Sequence, residues 1–162
     1  MMIMEAVNQL DGTEAHDRLQ KCVSIQKTSC LDSKLREIDK IVFGDNGIYE
    51  LVDSDELMLT IENSSCLKSG MVALTELHPH SRTARIRLNM SRVRDATTVG
   101  SNVCIDVHTC TVLTLIHEYV HLLHMIHAVQ AGKRLMTNKH DSQYRHMLRH
   151  MFGIDGVVAH TQ

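Results

Sequence analysis

TCTVLTLIHEYVHLLHMIHAVQA, residues 109–131, is the stretch that decides the fold. Val112, Leu113, Leu115, Ile116, Val120, Leu122, Leu123, Met125, Ile126 and Val129 cover most of a helical circumference, which predicts a core helix from Thr109 to Ala131. Gly132 suits the left-handed position after such a helix, and Lys133 and Arg134 suit its negative end. His117, Glu118, His121, His124 and His127 interrupt the apolar run, so no membrane span is expected.

Inside this helix stands His117-Glu118-Tyr119-Val120-His121, an H-E-x-x-H. Positions i and i+4 lie about 40° apart around a helix axis, so both imidazoles leave one face and can grip a single zinc ion. Glu118, one position along, reaches a water beside that ion as general base rather than as ligand. Two histidines and a glutamate among aliphatic side chains are costly to bury unless something satisfies them, and a metal does so. The competing explanation is a pair of core histidines bonded to nearby carbonyls.

A catalytic zinc takes a third protein ligand and keeps one position open. No glutamate follows Glu118, which removes the zincins whose third ligand is a downstream Glu. His127 has the spacing of the third metzincin histidine, but His124 stands where that pattern requires Gly. On an unbroken helix His127 lies about 15 Å along the axis from His117. His124 shares the ligand face one turn on and is expected to pack or to polarise the site. His140 is the better candidate. It heads a second amphipathic helix, Asp141 to Phe152, whose Tyr144, Met147, Leu148, Met151 and Phe152 repeat at i, i+3, i+4, i+7 and i+8, ending at Gly153. Burying that face on the core helix folds the chain back and carries His140 over His117 and His121. The competing possibility is an exposed loop histidine.

Upstream, Thr83 to Met90 alternates Ala84, Ile86, Leu88 and Met90 with Arg85, Arg87 and Asn89, the pattern of a half-buried strand. Lys40 to Phe43, Glu56 to Ile61 and Met71 to Leu77 also read as strands, and Thr13 to Ser24 as an N-terminal helix. The expected fold class is α+β: a small twisted sheet packed on an N-terminal helix and the histidine-bearing helix, followed by a short C-terminal helix.

With 162 residues, 43% hydrophobic and 22% charged, the chain predicts one globular domain, 1–162, and excludes a disordered one. A core of this size forms without disulfides or a structural metal, so a metal site would serve chemistry. Cys22, Cys30, Cys66, Cys104 and Cys110 contain no C-x-x-C pair, which excludes a zinc ribbon and fits reduced thiols. Together with an N-terminus that lacks a basic and apolar leader, this points to an intracellular protein, cytoplasmic or nuclear. Net charge is −2 but uneven: residues 1–81 carry 7 Lys/Arg against 14 Asp/Glu, and residues 82–162 carry 10 against 5. Arg82, Arg85, Arg87, Arg92 and Arg94 could track phosphates, as could Lys133, Arg134, Lys139, Arg145 and Arg149. The alternative is a solvated face paired with the acidic half; 3 Tyr, 2 Phe and no Trp offer few stacking platforms for single strands. His146 and His150, on the polar face of the last helix, are expected to be surface histidines.

The stretch Thr111 to His121, the run Lys139-His140-Asp141-Ser142-Gln143-Tyr144 continuing to Phe152, and Ile86-Arg87-Leu88-Asn89 resemble the SprT-like, Spartan-type zinc metalloprotease domain. The resemblance spans residues 68–153. It implies a minimal zincin-like domain with His117, His121 and His140 as ligands of Zn2+, Glu118 as catalytic base and proteins as substrates, including proteins bound to DNA as in DNA–protein crosslink repair. Asp141 stands where the family has Gly, and Gln143 where it has Glu. The expected activity is zinc-dependent endopeptidase; the alternative is a catalytically inactive zinc-binding or DNA-associated interaction module.

Overall fold

The structure is a computed structural model that describes residues 2–67, 70–95, 98–99, 102–103, 106–135 and 140–155. Cys104 and Lys139 lie outside the described residues. Helices α1 (Ile3–Gln9), α2 (Ala15–Val23), α3 (Leu31–Phe43) and α4 (Ile48–Asp53) form the N-terminal part. Strands β1 (Met58–Asn63), β2 (Ala73–His78) and β3 (Thr83–Leu88) make the main sheet; α5 (Met90–Asp95) and the short pair β4 (Thr98–Val99) and β5 (Asn102–Val103) lead into α6 (Val107–Gln130) and α7 (Ser142–Phe152). The mixed α+β class is as expected, with more helix than the sequence suggested.

Lys40 to Phe43, expected to be a strand, is the last turn of α3. Leu35, Ile38 and Val42 are buried at helical spacing, and that longer period overrides the β-branched character of Ile41 and Val42. Gly44, at φ +64, ends the helix in a conformation that suits glycine. The expected N-terminal helix begins two residues late, after a 3-10 turn at Gly12–Glu14 whose Asp11 side chain accepts from Thr13 N–H. Helices α1 and α4 carry no expectation from sequence.

The sheet order is β1-β3-β2, with β1 parallel and β2 antiparallel to β3. Ala84, Ile86 and Leu88 point inward from β3 as the alternation predicts, beside Ala73, Thr75 and Leu77 of β2. Asn63 Oδ1 accepts from Met90 N–H, which turns the chain from β3 into α5.

Helix α6 packs on β2 and is enclosed by α1, α2, α3, α5 and α7. It is long and apolar enough to cross a membrane, but 83% of its apolar window is buried within the protein, as befits a core helix. Asp106 caps its first turn by accepting from Thr109 N–H. The hydroxyls of Thr111 and Thr114 donate to the carbonyls of Val107 and Cys110 one turn back, so both are satisfied inside the helix. Gly132 follows α6 at φ +66. Helix α7 buries Tyr144, Met147, Leu148, Met151 and Phe152 and ends at Gly153 in the left-handed region.

Candidate metal centre

The rotation of α6 about its axis decides which residues meet. Tyr119 lies about 200° from both His117 and His121 on a helix. Its hydroxyl donates to Asp39 Oδ1 at 2.5 Å. Asp39, itself 2% exposed, also accepts from the backbone N–H groups of Ile48 and Tyr49 at the start of α4. Burial pushes the Asp39 carboxyl up from its ordinary value, and the Tyr119 hydroxyl and the two backbone donors oppose that shift. This anchor on α3 turns His117 and His121 to the other side.

There, His117 and His121 are buried at 2% and 1% exposure and His140 is partly buried. His140 Nε2 lies 3.0 Å from Nε2 of His117 and 3.0 Å from Nε2 of His121. Each of the three residues has a ligand nitrogen within 4.8 Å of the others. Three imidazole nitrogens at 2.0–2.1 Å from one tetrahedral zinc would stand roughly 3.3 Å apart, close to the separations seen. The donor set therefore fits a divalent cation that accepts imidazole, and the three residues could hold a metal ion. Burial holds the His140 imidazole below its usual pKa, with Arg145 adding to the effect, which favours the neutral ring that binds metals.

Helix α7 delivers His140. Asp141 is its N-cap, accepting from Tyr144 N–H at 2.9 Å, and Asp141 Oδ1 also lies 3.4 Å from His124 Nε2. The cap explains what an aspartate does directly after His140: it starts the helix and contacts α6 one turn beyond His121. Tyr144 wedges among the rings. It stacks on His121 at 4.3 Å between centroids and meets His117 and His140 edge-on at 5.5 and 5.1 Å. Its hydroxyl donates to the His117 carbonyl at 3.0 Å.

Glu118 is fully buried. Its Oε1 accepts from the Thr75 hydroxyl on β2 at 2.8 Å. Burial raises its carboxyl to about 8, against the lowering effect of the Thr75 hydrogen bond.

The other sequence candidates go elsewhere. His127 Nε2 lies 3.3 Å from Gln143 Nε2 and does not join the group. His146 and His150 stack on each other; His146 contacts Asn8 and His150 the Leu10 carbonyl, which ties α7 to the N-terminal segment. Arg85 pairs with Glu62 at 3.2 Å, and Arg87 with Glu76 at 2.6 Å. Arg82 and Arg94 are exposed and Arg92 is partly exposed.

Sequence reasoning missed Thr75, and took Tyr144 for core alone. A hydroxyl on the inward alternation of Ala73, Thr75 and Leu77 was the one available signal for the first. Tyr119, the third residue of the motif, gave no hint that Asp39 would be its partner. No family model, no curated protein and no solved structure matches the chain.

Proposed function

We propose that this chain is a zinc-dependent endopeptidase of the SprT-like, zincin-type kind that its motifs resemble. The observation that carries the proposal is the meeting of His117, His121 and His140 from two separate elements, with a buried carboxylate on the residue that follows the first of them. His117, His121 and His140 would hold the ion. When bound, zinc supplies Lewis acidity that lowers the pKa of a water toward ~7 and polarises a carbonyl. Burial favours the protonated Glu118, and a divalent cation held by the neighbouring histidines would favour its ionised form; Glu118 would then take a proton from a water and deliver it to the departing amine, the role of a base that is not itself a ligand. Asp141 and Tyr144 keep His140 and His121 in place, and the Asp39–Tyr119 contact keeps the helix from rotating. The substrates are proteins. Contact with DNA would fall to Arg82, Arg92 and Arg94, because Glu62 and Glu76 engage Arg85 and Arg87.

The test is metal content and cleavage measured together. Glu118→Gln is expected to keep the zinc of the wild type and to lose cleavage of denatured casein; undiminished cleavage would remove Glu118 as the base. His140→Ala is expected to lose tightly bound zinc. A wild-type chain that holds zinc and cleaves nothing, with or without chelator, would instead describe a binding module.

A further inference from the structure

Strand β2 is apolar toward α6 except at one position. Ala73, Thr75 and Leu77 alternate inward, paired with Leu88, Ile86 and Ala84 of β3. Thr75 is fully buried there. Valine has the same shape and suits a strand equally well, so packing does not require a hydroxyl, and a buried hydroxyl is unfavourable unless it is hydrogen-bonded. The hydroxyl lies 2.8 Å from Oε1 of Glu118 and 3.3 Å from the same residue's backbone oxygen, 43 positions along the chain.

We infer that Thr75 is the positioning residue of Glu118: its hydroxyl holds Oε1 and so fixes the orientation of the carboxyl group that exchanges the proton. The inference rests on the peptidase reading and deepens it. A glutamate has three side-chain torsions, and a general base displaced by about 1 Å can lose on the order of 100-fold in rate. Threonine is suited to holding it, because its branched side chain is stiff at χ1 and β2 is paired with β3 along its whole length. The support thus comes from the sheet, across the interface with the helix that carries the motif.

Thr75→Val and Thr75→Ser test this, as full-length zinc-loaded chains acting on denatured fluorescein-labelled casein. Thr75→Val is expected to lower kcat about 10- to 100-fold with KM changed by no more than about twofold, and Thr75→Ser to return kcat to within about threefold of wild type. Zinc content should match wild type in both. A second readout needs no activity: in the metal-free protein, the Glu118 carboxyl infrared band, assigned by difference against Glu118→Gln, should shift in Thr75→Val and return in Thr75→Ser. Wild-type kcat in Thr75→Val, or an unmoved band, overturns the inference and leaves the peptidase reading standing. Loss of zinc or of the folded state in both variants also overturns it, since Thr75 would then support the fold only. A wild-type chain that cleaves nothing while the band still moves sinks the peptidase reading and the positioning role with it.

Discussion

Two carboxylates are buried beside α6, Asp39 at 2% exposure and Glu118 at 0%, and they are held in different ways. Asp39 is gripped by two backbone N–H groups and a phenol, all belonging to rigid elements. Glu118 takes its hydrogen bond from a side-chain hydroxyl on another layer and sits next in sequence to a histidine of the group that could hold a metal ion. Burial raises both carboxyls. What separates them is the kind of donor. Backbone donors at the start of α4 make Asp39 part of the fold, whereas Glu118, on the residue after His117, takes its hydrogen bond from a side-chain hydroxyl on the sheet, the arrangement that the proposed role of Glu118 requires. The same helix therefore carries an anchor on one face and the candidate site on the other.

The largest expected effect tests that division directly. In Asp39→Asn one carboxylate oxygen becomes an NH2 group. Oδ1 receives both Ile48 N–H and the Tyr119 hydroxyl, and Oδ2 receives Tyr49 N–H, so either orientation of the amide sets donor against donor. The expected cost is about 2–4 kcal/mol of folding stability. Glu118→Gln can keep its amide oxygen toward Thr75, and the expected change is within about 1 kcal/mol. Urea denaturation of the two variants checks both numbers; equal destabilisation would erase the distinction between anchor and site.

Gly47→Ala sharpens the comparison from the other side of the anchor. A Cβ there would lie 2.2 Å from Asp39 Oδ2 and 2.3 Å from Oδ1, although the Gly47 backbone is not in the left-handed region. The three nearest atoms it would meet all belong to the Asp39 carboxylate, and the expected cost is about 1–3 kcal/mol. If the anchor fixes the rotation of α6, combining this change with Asp39→Asn should cost less than the two separately, since both disturb one contact. Full additivity in denaturation midpoints would show them to be independent.

Tyr144→Phe probes the site face more gently. It removes the hydroxyl that donates to the His117 carbonyl and keeps the ring stacked on His121. About 1 kcal/mol of stability should go, with zinc stoichiometry unchanged. Loss of zinc in this variant would mean that the hydroxyl, rather than the ring, aligns the histidines.

The same contrast explains what the sequence disclosed. Helix α7 and strand β3 were legible because their burial follows a local period, and the position of His140 followed from the need to fold α7 back onto α6. Lys40 to Phe43 misled because Ile41 and Val42 favour a strand over a short window, while Leu35 and Ile38 declare a helix only over a longer one. Helices α1 and α4, of 7 and 6 residues, are too short to show a period. Thr75 with Glu118 and Asp39 with Tyr119 are 43 and 80 positions apart, and no local pattern encodes such a pair. The histidine face announced itself through a motif; the two contacts that support it emerge only when the sheet and α3 are in place.

The smallest expected signal reads the anchor without unfolding the protein. Cys22 is buried on α2, which packs on α6, and burial pushes its thiol up to about 12. Such a thiol is inert to alkylation at neutral pH until its surroundings open. Cys30 is exposed, and the hydrogen bond to Ser33 holds its pKa below the ordinary value, so in the native protein it should react with iodoacetamide well before Cys22. Mass mapping of labelled peptides after timed exposure gives both rates from one sample. Because α2, which carries Cys22, packs against both α3 and α6, loosening the Asp39–Tyr119 contact between those two helices should expose Cys22 first. Asp39→Asn is therefore expected to raise Cys22 labelling several-fold relative to Cys30, and Glu118→Gln to leave the ratio where it was, since opening on the anchor side follows local stability there. A rise in Glu118→Gln of the same size would show that the two faces of α6 yield together.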